Sequence, residues 1–381
     1  MIYLDYNATT PIDSQVLDDM LPYLKDKFGN ASSITHQAGW LAKNGVETAM
    51  EQICSLLHAD PKEIVFTSGA TESINMAIKG VFDIYRRKGN HIITCKTEHK
   101  AVLDVCASLE KKGGRITYLD VDDNGNIDLE QLKKEISDQT ILVAIMYVNN
   151  ETGVIHPINE IAEIVHANNS IFMSDATQVV GKLPIDLEEC RIDLLAFSAH
   201  KLYGPKGVGG LFIRRKKPRV ILSPLIEGGG HQRGLRSGTL NVPGIVGLGS
   251  ACALAESEMS TNKTHISELR DHLESSFSLL PDVMINGQKS DRLYNVSNIC
   301  FKGVSSEQII NAIKSKLAIS TGSACTSEDQ TPSHVLTAMG LNALDAQSSL
   351  RFSLGKYTSK EDIEQAIDLV IEKVNAVRKA I

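Results

Sequence analysis

The chain has 381 residues, 42% of them apolar and 22% charged, which is enough to bury a large core and to divide into two domains. Its net charge is −7, from 39 basic against 46 acidic residues, so no global attraction to nucleic acid or to an anionic membrane is expected. The ordinary composition excludes a disordered or fibrous chain. The seven cysteines, at 54, 95, 106, 190, 252, 300 and 325, form no CxxC pair, and neither a disulfide framework nor a zinc knuckle is expected from them. The N-terminus, MIYLDYNATTP, has no basic leader region, and the longest apolar run, ILVAIMYV (141–148), is too short to span a bilayer. A cytoplasmic protein without a membrane partner is the expectation.

Strand-like and helix-like segments alternate along the chain. The strand candidates are 63–68, 91–96, 115–120, 141–149, 171–176, 193–199 and 209–215. After Thr71, the apolar residues Ile74, Ala77, Ile78, Val81 and Tyr85 fall on one helical stripe. Several strands are apolar on both faces, as in a mostly parallel sheet covered by helices. The expected fold is therefore α/β: a large domain with a mostly parallel seven-stranded sheet flanked by helices, plus a smaller α+β domain. The boundaries read as an N-terminal segment (1–14) packing with the small domain, a large domain (15–250) and a small C-terminal domain (251–381). The small domain contributes strand candidates 295–301 and 348–354, and Thr358 with Glu361 reads as the capping box of a final helix.

The polar residues with chemical potential follow strands, where open α/β sheets bind ligands. TSGATES (67–73) puts Gly69 and Thr71 between a strand and a helix, either as a phosphate cradle or as plain caps. His99 begins a helix after the next strand, where a cap or a packed ring is the ordinary use. Asn149, Asn150 and Glu151 end the most apolar strand, where asparagines can simply form a turn. Asp175 abuts an apolar strand with Gln178 three residues on, and such an acid needs a cationic or hydrogen-bonding partner. The run FSAHKLYGPKGVGG (197–210) carries Ser198, His200 and Lys201 into a glycine-rich turn. A phosphate cradle, an aromatic side chain, a buried acid and a lysine on one crevice edge match what pyridoxal phosphate requires.

Seven motifs then point to one family: EIVFTSGATES, HIITCKTEHKAVLD, VNNETGV, DATQVVGKLPIDL, FSAHKLYGPKGVG, GGGHQRGLRSGT and STGSACTS. Across nearly its whole length the chain resembles the cysteine desulfurases of the NifS/IscS type, which have the aspartate-aminotransferase-like fold type I of pyridoxal 5'-phosphate enzymes. The resemblance implies that Lys201 forms the covalent link to the cofactor and moves protons at the substrate Cα. It gives Asp175 to the pyridinium nitrogen, and Gln178 and Asn150 to the ring oxygen or the substrate. His99 would stack on the ring and act as an acid–base group. Ala70 (through its backbone), Thr71, Ser198 and His200 would hold the phosphate. Thr239 would reach the phosphate of the second subunit in a homodimer, and Arg351 would bind the substrate carboxylate.

By the same resemblance Cys325 is the nucleophile that takes sulfur from L-cysteine as a persulfide, releasing L-alanine. No metal is implied beyond a transient cluster contact at Cys325. The sulfur would pass to an acceptor for iron–sulfur cluster assembly or other transfer. The chain ends at Ile381, just after its last amphipathic stretch and without the tail by which housekeeping members dock a scaffold protein, so a different acceptor stays open beside the scaffold. A selenocysteine or cysteine-sulfinate lyase, or an aminotransferase, is the alternative on the same scaffold; only Cys325 and its loop separate them.

Overall fold

A computed structural model describes residues 1–321 and 332–380. Its strands in chain order are β1 (Ile2–Tyr3), β2 (Ile64–Thr67), β3 (His91–Cys95), β4 (Arg115–Leu119), β5 (Thr140–Ala144), β6 (Ile171–Asp175), β7 (Leu194–Ser198), β8 (Gly209–Ile213), β9 (Val283–Ile285), β10 (Val296–Phe301), β11 (Leu317–Ala318) and β12 (Ser349–Ser353). Seven of them form one sheet in the order β2-β8-β7-β6-β5-β3-β4. Only β8 runs antiparallel to its neighbours.

The sheet is dry because its strands are rich in β-branched and apolar residues and helices cover both faces. β3, β5, β6, β7 and β8 are buried along their full length, whereas β4, at the edge, starts exposed. Helix Ala70–Tyr85 buries the expected residues Ile74, Ala77, Ile78 and Val81. Close approach of β8 depends on glycine. A Cβ on Gly209 would lie 2.5 Å from the Phe197 carbonyl oxygen and 2.7 Å from the Gly69 Cα, so only a bare backbone fits there.

The run 141–149 forms a shorter strand than its apolarity suggests. β5 stops at Ala144, and the Met146 N–H goes to the Glu98 carboxylate at 2.6 Å. The Asn149 Oδ1 then accepts from the N–H groups of Glu151 and Thr152, closing a turn.

Beyond the large sheet, one helix, Val242–Phe277, runs unbroken through residues 250 and 251. With a rise of about 1.5 Å per residue its length is about 54 Å. β9, β10 and β12 form an antiparallel sheet, and β1 pairs in parallel with β11. The chain after β1 lies beside β12, with Ser353 N–H donating to Leu4 O and Tyr6 N–H to Ser353 O. The N-terminal segment is therefore stitched to β12 next to Arg351.

The final helix, Lys360–Ala380, is capped one residue later than the sequence suggests. Thr358 Oγ1 is used by the Gly355 N–H. The reciprocal box instead joins Ser359 and Asp362, with Asp362 N–H donating to Ser359 Oγ and Ser359 N–H donating to Asp362 Oδ2, each at 3.0 Å. Ser359→Ala should therefore lower stability by about 1 kcal/mol, whereas Glu361→Ala should change it little. Urea unfolding of the two variants measures this; equal effects would return the cap to Thr358 and Glu361.

Candidate active site

Because β2, β3, β5, β6 and β7 run in one direction, their carboxyl ends share one edge. A cavity of about 650 Å³ opens there. It gathers Ala70, Thr71, His99, Asn150, Asp175 and Gln178, and also Ser198, His200, Lys201 and Arg351. Of the remaining two expected residues, one is not among these walls. Thr239 is exposed on a loop, and Cys325 lies outside the described residues.

The phosphate-sized corner begins at Gly69. This residue adopts φ +150°, caps helix Ala70–Tyr85 without a side chain, and faces Ser198 Oγ. The first N–H groups of a helix have no intrahelical acceptor, so this corner favours an anion. Glu72, in the first turn of the helix, also lines the cavity. Burial alone would raise its carboxyl, but the Arg236 guanidinium, 2.8 Å away, and the Ser68 N–H hold it below the usual range. Arg236 thereby ties the loop carrying Thr239 to this helix.

His99 ends the loop after β3 and caps helix Lys100–Glu110, its Nδ1 accepting from the Ala101 N–H at 3.1 Å. Burial lowers its pKa, and the charge of Lys201 lowers it further against the pull of Asp175. The neutral ring with Nδ1 accepting carries its proton on Nε2. His200 is also pushed down, to about 4, by burial and by the charges of Lys201, Lys206 and Lys182.

Asp175, at the end of β6, accepts the Thr177 N–H at 2.9 Å and the Thr177 hydroxyl at 2.5 Å on Oδ1. Lys201 Nζ donates to the carbonyls of Asn7 and Ala8, the latter at 2.8 Å. Gln178 Nε2 donates to the same Asn7 carbonyl at 3.1 Å, while its Oε1 is buried with no hydrogen-bond partner among the described residues. Arg351 donates to Asn150 O at 3.0 Å and pairs with Asp5 at 2.7 Å.

Several wall residues escaped the sequence reading. Asn7 is 2% exposed and links the two halves, receiving from Asn295 Nδ2 and donating to Asn150 O. Its neighbours in YNATT look like turn formers, so their only signal was an unusual density of small polar residues. His334, the first residue of the short helix His334–Ala338, donates from Nε2 to Glu98 O at 3.0 Å, and a single histidine there gave no signal in the sequence. Among the described residues no cluster of His, Cys, Asp and Glu could hold a metal, and no helix is long and apolar enough to cross a membrane.

Two buried carboxyl groups flank the cavity. Burial pushes Glu98 well above the usual range, with Asp175 adding to the rise, and Glu151 is raised by burial against the bond from Ser333. A carboxyl group whose pKa is raised in the folded state binds its proton more tightly there than when unfolded. Its stabilisation is complete at low pH and is lost as pH rises from the unfolded value towards the folded one. Glu98→Gln, which cannot ionise, should therefore gain in melting temperature relative to wild type between pH 5 and pH 8, as thermal unfolding of the two proteins would record. A constant gap would place no ionisable penalty at Glu98.

Comparison with known proteins agrees with this geometry. The family model described as aminotransferase class-V matches residues 2–366. The chain is 51% identical over 378 residues to the cysteine desulfurase IscS of Rickettsia bellii (strain OSU 85-389), covering 99% of this chain and 92% of the relative. It is 50% identical to the cysteine desulfurase IscS of Edwardsiella ictaluri (strain 93-146), covering 99% and 94%. Among solved structures, a NifS-like protein superimposes with TM-score 0.91 at 38% identity, covering 97% of this chain and 98% of the other. SspA in complex with cysteine does so with TM-score 0.82 at 37% identity, covering 94% and 100%. Fold, strand-end cavity and full-length similarity place the chain in one group: it belongs to the aminotransferase class-V family.

Proposed function

We propose that the chain is a pyridoxal 5'-phosphate-dependent cysteine desulfurase that converts L-cysteine to L-alanine and a protein-bound persulfide. The observation that carries this reading is the meeting of Lys201, Asp175, His99 and the N-terminus of helix Ala70–Tyr85 in one cavity. The relatives at about half identity are cysteine desulfurases by name, and one structural neighbour holds cysteine.

The residues present fit the cofactor. Gln178 Oε1 is a buried polar atom at the cavity with no partner among the described residues, and Gly69 leaves the helix N-terminus open next to Ser198. When bound, pyridoxal phosphate supplies an aldehyde for amines and a ring that takes up the electron pair released at the substrate Cα. Ala70, Thr71, Ser198 and His200 would hold its phosphate, Asp175 the proton of its ring nitrogen, and Asn150 and Gln178 the ring oxygen or the substrate.

Lys201 carries the amine that would hold the cofactor through its aldehyde and would move the Cα proton of the substrate. His99 lies neutral beside it, suited to stacking and to receiving or giving a proton at Nε2. Arg351 presents a planar guanidinium that matches a carboxylate. Cys325 supplies the thiolate: its sulfur bonds to the substrate sulfur as the substrate carbon–sulfur bond breaks, and the carbon skeleton takes up a proton and leaves as alanine. The persulfide then passes to a sulfur acceptor, such as an iron–sulfur scaffold protein, in the cytoplasm. The exposed position of Thr239, on the loop anchored by Arg236 to Glu72, suits a homodimer in which it contacts the partner's phosphate corner.

The test is an L-cysteine assay that follows alanine and trapped persulfide together. Wild type should form both; Cys325→Ser should form no persulfide and lose turnover. Full alanine production by Cys325→Ser would overturn the mechanism. His99→Gln should lower kcat by about 10²–10⁴-fold, the usual share of a positioned acid–base group. Unchanged kcat in steady-state kinetics would remove His99 from that role.

A further inference from the structure

Arg351 stands in the wall of the large cavity, and the Asp5 carboxylate holds it at 2.7 Å. Asp5 itself is not among the described residues that line that cavity. The guanidinium is 2% exposed, whereas the Asp5 side chain is 19% exposed. The acid thus reaches the guanidinium from behind the cavity wall.

The place of Asp5 does not depend on its side chain. Its backbone forms a parallel bridge with that of Ser353, and its carbonyl accepts from the Tyr3 hydroxyl at 3.1 Å. Arg351 is fixed by other bonds as well. Its residue pairs with Asn298 across β12 and β10, and its Nη1 donates to Asn150 O at 3.0 Å, an oxygen that also takes Asn7 Nδ2. A neutral isostere at position 5 would therefore leave the guanidinium in place and change chiefly the charge beside it.

A buried cation is unfavourable without an anion, so Asp5 stabilises Arg351 before any ligand enters. The same anion has a second consequence. A substrate or product carboxylate arriving on the cavity side shares the guanidinium with Asp5. Two anions held by one cation repel each other, and at such range in a protein the repulsion is large enough to change an affinity by about tenfold.

We propose that Asp5 is a positioning residue that acts through Arg351: it is a built-in counter-ion that weakens the hold of Arg351 on amino-acid carboxylates and so favours release of the alanine product. This inference rests on the reading of Arg351 as the carboxylate-binding residue. It does not depend on the sulfur chemistry.

The experiment uses the full-length, cofactor-loaded protein and two probes: L-alanine, and ethylamine, the same amine without the carboxylate. Calorimetric titration gives the Kd of each. Asp5→Asn, which keeps an oxygen acceptor for Nη2, should bind L-alanine about tenfold more tightly than wild type and ethylamine equally. Asp5→Glu, which keeps the charge, should stay near wild type. In thermal unfolding, Asp5→Asn without ligand should melt below wild type, and a fixed concentration of L-alanine should raise its melting temperature by more. Damage to the fold would weaken ligands rather than tighten one class of them. L-alanine binding that is unchanged or weaker in Asp5→Asn, or an equal gain for ethylamine, would overturn the proposal. Should Asp5→Asn not fold, Asp5→Ser decides in its place; failure of both would make the pair a structural one and overturn the proposal too. Arg351→Met separates the two readings. If it binds L-alanine as tightly as wild type, the reading of Arg351 falls together with this inference. If it loses L-alanine while Asp5→Asn follows wild type, only this inference falls.

Discussion

The contact on which the site depends is that of Lys201 Nζ with the main-chain carbonyls of Asn7 and Ala8. A flexible lysine at the end of a strand has no fixed position of its own, and its rotamer freedom costs about 2 kcal/mol to remove. Here the cost is offset by two acceptors on a segment that is itself tied down. Asn7 receives from Gln178 and Asn295 and donates to Asn150. Thr10 N–H and Oγ1 both donate to His200 O, and the Tyr203 N–H donates to Thr10 Oγ1. The first residues of the chain thereby fix the backbone on both sides of Lys201 as well as its amine.

The same segment couples the two ends of the molecule. β12 carries Arg351, and Asp5 pairs with that guanidinium from the N-terminal strap. Lys201 and Arg351 are 150 positions apart in the chain, yet they are held to one short strap within a few residues of each other. The amine is held by main-chain carbonyls, which side-chain substitution on the strap leaves in place, whereas the guanidinium is held through the Asp5 side chain. The parallel sheet supplies the remaining register, since the carboxyl ends of its strands can meet only on one edge.

Much of this was legible in the sequence because strands and sites used the same signals. Most of the central strands are apolar runs, and the polar residues that follow β2, β3, β5, β6 and β7 are cavity walls. Ser198, His200 and Lys201 after β7, and Asp175 at the end of β6, are examples. What escaped depends on tertiary hydrogen bonds. Glu98 takes an amide that would otherwise extend β5, Thr358 spends its hydroxyl on Gly355 and passes the cap to Ser359, and Asn7 acts through its carbonyl, which any residue possesses. His334 arrives from a distant helix of five residues, too short for a periodic pattern to announce it.

The central claim is that Lys201, held by Asn7 and Ala8, is the amine that takes up pyridoxal phosphate. The direct measurement is to add the cofactor to the protein, reduce the adduct with borohydride and map the modified peptide by mass spectrometry. The account predicts one stoichiometric modification, on Lys201. Modification of Lys182 or Lys206 in its place, or no stable adduct at any lysine, would contradict it.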